Sequence, residues 1–151
     1  MKWKLLLVTL LAFLVLPTTV GAVDFSISDV KIKAQLETDG TVRVTEQHTY
    51  NFDSEFNGII REIQPKRGAS IEEFKASEKG KELRIEKRNS EYRVHRKGDS
   101  EVIVFDLQYT IRNGMEKYAD GAQFYWPFFD RRNETDYGNM TITIVPPSIE
   151  S

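Results

Sequence analysis

Alternation with a period of two dominates the chain from Val30 onward. The stretch VKIKAQL sets Val30, Ile32, Ala34 and Leu36 on one face and Lys31, Lys33 and Gln35 on the other. After Thr38-Asp39-Gly40 comes TVRVTEQHTYNF, with Val42, Val44, Tyr50 and Phe52 facing one way and Thr41, Arg43, Thr45, Gln47 and Thr49 the other. Two alternating runs around one turn predict a hairpin. A two-residue Asp39-Gly40 loop would put Leu36 opposite Arg43 and mismatch both faces. A three-residue Thr38-Asp39-Gly40 loop with Gly40 left-handed pairs Leu36 with Val42 and Ala34 with Val44, and this register is expected.

The same register puts Glu46 and His48 in phase with Val44 and Tyr50, facing roughly Ile32 and Val30. An unpaired carboxylate desolvated there would cost several kcal/mol. Arg61, in FNGIIREI, shares a phase with Ile59 and Ile63 and is the best-placed cation. Two readings follow. Glu46 and Arg61 form a structural ion pair with His48 beside them, or Glu46 and His48 build an acid or metal site. Buried polar groups are usually satisfied by their neighbours, so the ion pair is the expectation.

Further along, ASIEEFKAS reads as a short strand. ELRIEKR, the turn Asn89-Ser90 and EYRVHR form a second hairpin, with Ile85 opposite Val94 and Glu86 opposite Arg93. A loop at Lys97 to Ser100 leads into VIVFDLQYTI. An even loop there would set Val94 beside Ile103 and Tyr92 beside Phe105, completing a three-stranded meander. MTITIV alternates Met140, Ile142 and Ile144 with threonines and ends at Pro146-Pro147, which cannot continue a ladder. Two groups of short strands predict an all-β, antiparallel β-sandwich of immunoglobulin-like or jelly-roll-like architecture.

The first 22 residues carry a different signal. Lys2 and Lys4 precede an apolar stretch from Leu5 to Leu16, followed by Pro17 and small residues around Ala22. This pattern predicts a secretory signal peptide over 1–22 and an exported domain over 23–151. Without Lys2 and Lys4 the domain holds 19 basic and 23 acidic residues, a balance of −4. No basic excess is left for nucleic acid. The chain has no cysteine, which removes disulfides, thiolate metal sites and cysteine nucleophiles. A small exported domain without disulfides points to a bacterial envelope protein.

The densest aromatic segment is GAQFYWPFFD, with five rings between Phe124 and Phe129. If it is extended, Phe124, Trp126 and Phe128 point one way and Tyr125 and Phe129 the other. The first set is expected to fill core. Tyr125, Trp126 and Phe129 are the candidate contact surface, where a cell-wall glycan could stack. Pro127 lacks a donor and marks an edge or an exit from the sheet. Asp130, Asn133, Glu134 and Asp136 offer oxygens without the spacing of a calcium loop. Asp120 and Glu46 would suit a glycosidase-type carboxylate pair only if the fold brought them together. No nucleophile elbow or phosphate loop is present. These readings predict no cofactor, no metal and no catalytic activity.

The order LETDGTVRVTEQHTYNF, FNGIIREI, YADGAQFYWPFF and a strand ending in VPP resembles the domain of unknown function 2207 family of predicted bacterial membrane proteins, across Asp24 to Pro147. Gly40, Glu46, Gly58, Arg61, Asp120, Trp126 and Pro127 fall in its recurring motif positions. The resemblance implies an exported N-terminal β domain followed by transmembrane helices, so membrane attachment would come through a C-terminal region outside this sequence. It brings no established chemistry. The expected function is therefore a non-catalytic binding or assembly domain on the extracellular side of the bacterial membrane, with an envelope or membrane protein as partner. A carbohydrate-binding or hydrolysing domain is the alternative.

Overall fold

The computed structural model describes residues 23–128 and 137–148. The expected signal peptide, Phe129 and the oxygen-rich stretch 130–136 lie outside the described residues. Within them the alternation becomes strands and no helix, so the fold is all-β with several sheets.

Strand β1 (Phe25–Leu36) and β2 (Val42–Phe52) form the expected hairpin, with Leu36 opposite Val42 and Ala34 opposite Val44. Its loop closes through the Glu37 N–H donating to the Thr41 carbonyl and the Gly40 N–H to the Glu37 carbonyl, with Gly40 at φ 90°. A left-handed backbone there is tolerated because glycine has no Cβ. A bulge at Ser28 lets Ile27 and Val30 both face inward although they stand three positions apart.

Strands β3 (Glu55–Glu62), β4 (Ser70–Glu78), β5 (Lys81–Glu82), β6 (Ile85–Arg88), β7 (Glu91–Asp99) and β8 (Val102–Arg112) follow. After them come β9 (Met115–Tyr118), β10 (Gly121–Phe124) and β11 (Met140–Val145). They assemble as a six-stranded sheet in the order β11-β1-β2-β8-β4-β5, a three-stranded sheet β3-β7-β6 and a β9-β10 hairpin. The β6-β7 hairpin has the expected register, Ile85 opposite Val94 and Glu86 opposite Arg93. At Gly58 the β3-β7 register shifts, with the extra residue on β7 between His95 and Gly98, and the β3 backbone comes close to β7 at φ 132°; a Cβ there would lie 1.8 Å from the Val94 carbonyl oxygen.

Two expectations are corrected. The meander through β8 does not form: β7 pairs with β3 and β6, whereas β8 pairs with β2 and β4. The chain passes from one sheet to the other at Ser100, which has φ 50° and donates its N–H to the Ser54 carbonyl. The neighbouring β2-β3 turn makes the same passage, and the Phe52 N–H donates to the Glu101 carbonyl. Tyr92, Val94, Ile103 and Phe105 are all buried as expected. Alternation, however, fixes which face a residue takes and not which strand lies beside it. The fold is also not purely antiparallel, because β11 runs parallel to β1. Its Ile142 shares a face with its buried partner Ile32, yet Ile142 and Ile144 are 39% and 51% exposed, since β11 is the sheet's outermost strand.

One buried cluster draws side chains from both larger sheets. Phe52 of β2 stacks on Phe56 of β3 at 3.8 Å between ring centroids, and Phe74 of β4 stacks on Tyr92 of β7 at 4.1 Å. Flat aromatic stacks of this kind add specific geometry to the area they bury.

Candidate functional site

Every second residue of β2 from Val42 to Phe52 is buried, and that series includes Glu46 and His48. The Glu46 side chain has no exposed surface. Arg61, carried by β3 of the other sheet, reaches it: Nη2 lies 2.8 Å from Oε1 and Nε 3.1 Å from Oε2. This two-point fork is the geometry in which arginine binds a carboxylate most strongly. Burial alone would push the Glu46 carboxyl up, but the Arg61 guanidinium outweighs it and holds the group at about 2. Burial likewise opposes charge on Arg61, and the Glu46 carboxylate holds that charge firmly in place.

Two further Arg61 donors are also used. Nη1 donates to the Glu62 carbonyl at 2.9 Å and Nη2 to the Phe128 carbonyl at 3.2 Å. Arg61 thus ties the ion pair to the aromatic segment. Buried His48 has its Nε2 3.5 Å from Glu46 Oε1, too long for a well-formed hydrogen bond. Tyr109, on β8 opposite Val44, completes the polar group. Burial and the Glu46 charge raise its hydroxyl well above the usual range, and that hydroxyl makes no hydrogen bond among the described residues.

A carboxylate fixed in a fork and cut off from solvent stays ionised and immobile, which suits structure better than proton transfer. Among the described residues no group of three or more histidines or acids could hold a metal ion. Asp120 lies exposed in the turn between β9 and β10 while Glu46 is buried in β2, so the two carboxylates occupy different environments.

The aromatic segment leaves the sheet at Phe124, three residues before Pro127. Trp126 and Phe128 are each 7% exposed, whereas Tyr125 is 71% exposed. Trp126 shares the inward phase with Phe128 and packs with it in the core cluster. Tyr125 is the one member of the proposed contact set that the described residues place in solvent.

Sequence reasoning missed two things. One is the Phe128 carbonyl as a partner of Arg61, which no side-chain pattern can announce because every residue has a carbonyl. The other is on the outer face of the six-stranded sheet, where a trough with a volume of about 590 Å3 crosses β1, β2, β8 and β4. Its floor carries Thr45, Gln47, Asp106 and Gln108. The Gln47 amide donates to Asp106 at 3.0 Å.

Fold and site together define an all-β domain whose charged centre is locked inside its core and whose exposed features include an edge strand and a polar trough. The chain belongs to the DUF2207 family, the N-terminal domain of predicted membrane proteins, whose pattern matches residues 26–151. A search among curated proteins finds no match. No helix among the described residues is long and apolar enough to cross a membrane.

Proposed function

We propose that this domain is a non-catalytic binding or assembly module, exported by its leader and held on the outer side of the bacterial membrane by the remainder of the protein. Its two larger sheets pack face to face as a β-sandwich, a reading supported by the Glu46–Arg61 pair and the Phe52–Phe56 and Phe74–Tyr92 stacks that join them.

The observation that carries the functional reading is β11. It is an uncharged edge strand with Ile142 and Ile144 exposed on the face that is buried elsewhere in the sheet. Soluble proteins normally blunt such edges with charge, proline or cover, and a bare one accepts an added strand from a partner. Membership in a family of predicted membrane proteins makes an envelope or membrane protein the natural partner. A photo-crosslinking residue at position 144, introduced in cells, is expected to capture a membrane or envelope protein, and the same residue at exposed Lys97 to capture none. Equal labelling from both positions, or none from 144, rejects the edge as the contact.

A further inference from the structure

The trough on the outer face of the six-stranded sheet is organised in rows that the strand register sets. Lys33 of β1 stands opposite Thr45 of β2, Thr45 opposite Gln108 of β8, and Gln108 opposite Lys75 of β4. A hydroxyl and an amide thus separate two ammonium groups. The lysine backbones are three strand spacings apart, about 14 Å. Neither lysine has a carboxylate partner among the described residues, whereas the neighbouring Arg43 and Arg112 are held by Glu37 and Glu72.

The outer face of an antiparallel sheet is commonly a solvated surface, and two features set this one apart. First, it is recessed. Thr141 and Thr143 of β11 line one side, and Gly80 and Glu82 of the β4-β5 hairpin line the other. A bulge between Glu72 and Lys75, with Glu73 at φ 54°, interrupts β4 in the same region. Second, it is long. A further cavity of about 640 Å3 shares Thr45, Lys75 and Gln108 with the first and continues past Arg43 toward the Thr38-Asp39 turn. Each volume alone is that of a small-molecule site, and joined they outsize one.

We propose that this trough binds a linear polyanion that carries hydroxyl groups, a chain of polyol phosphodiesters, with Lys33 and Lys75 each taking a phosphate and Thr45, Gln47 and Gln108 bonding the polyol between them. The cations without an ion-pair partner among the described residues are the two lysines, compact point charges suited to phosphate, while Arg43 and Arg112 each already contact a carboxylate. Asp106, held by Gln47, sits where a ligand hydroxyl can donate to it. No aromatic residue lines the first cavity, and Tyr109 of the second has its ring buried in the core, which leaves a neutral sugar without a stacking platform.

The test is fluorescence polarisation of the 151-residue chain with labelled short poly(glycerol phosphate). Binding is expected to weaken with added salt, and a Lys33→Gln/Lys75→Gln variant with an unchanged melt is expected to lose about tenfold in affinity. Arg88→Gln/Lys97→Gln, which removes two exposed cations from the other sheet, is expected to bind like the parent. No binding by the parent chain overturns the proposal, as does equal loss in both variants, which would reveal general charge attraction. Equal affinity for an uncharged oligosaccharide overturns the phosphate assignment. Binding to phosphatidylglycerol vesicles without binding to the soluble polymer overturns the choice of a chain over a membrane.

Discussion

The two faces of the six-stranded sheet are made by the same strands, often by adjacent residues, and treat charge in opposite ways. Inward, β2 presents Glu46, which is tolerated only because Arg61 meets it with a fork and an adjoining carbonyl takes up a remaining donor. Outward, one residue on, Gln47 meets Asp106 across the strands in contact with water. Taking an ion out of water costs several kcal/mol, so an inward charge survives only with full compensation, whereas an outward one is stable with a partial partner or with none. The difference teaches where chemistry can reside in this domain. The inner charge is committed to holding the fold, and only the outer groups are free to meet a ligand.

Breaking the inner pair should have the largest effect. Arg61→Ala strands a buried carboxylate and releases the Phe128 carbonyl, with an expected loss of about 3 to 5 kcal/mol in chemical denaturation. The double replacement Glu46→Leu/Arg61→Met should recover most of that loss. A melt unchanged by Arg61→Ala would mean that the inner charge is as dispensable as the outer ones. Acid should act next most strongly. The Glu46 carboxyl is depressed in the folded state, from 4.5 to about 2, so its stabilisation is complete above the ordinary carboxylate range and disappears as pH falls toward 2. That contribution amounts to roughly 3 kcal/mol. Stability curves between pH 5 and 2 should therefore flatten in the Glu46→Leu/Arg61→Met variant relative to the parent; identical slopes would remove Glu46 as the acid-sensitive group. On the outer face, Gln47→Ala should cost only about 0.5 kcal/mol, the scale of a single solvent-exposed hydrogen bond. A loss comparable to that of Arg61→Ala would erase the distinction between the faces.

Much of this was legible in the residues, for identifiable reasons. The β1-β2 register follows from parity and loop length together, because Thr38-Asp39-Gly40 leaves a single pairing that matches both faces. Arg61 could be nominated because Glu46 interrupts an apolar series and few cations share an apolar phase. The β7-β8 crossing was hidden because Tyr92 and Phe105 would be buried whether their strands lay side by side or faced each other across the core. The parallel direction of β11 was hidden for a related reason: MTITIV alternates identically read either way along the sheet. The trough depends on a bulge at Glu72 to Lys75 and on the strands that border it, and an alternation pattern records neither curvature nor borders.

The parallel pairing of β1 with β11 also fixes where the polypeptide enters and leaves. Phe25 begins β1 at one pole, and Val145 ends β11 beside Gln35 at the other, where the Gln35 amide donates to the Pro146 carbonyl. The twelve residues of β1 separate these poles by roughly 40 Å. Any segment that follows Val145 therefore departs from the end bearing the Thr38-Gly40 turn, and any segment that precedes Phe25 arrives at the far end. The two points of entry and exit thus lie one strand length apart.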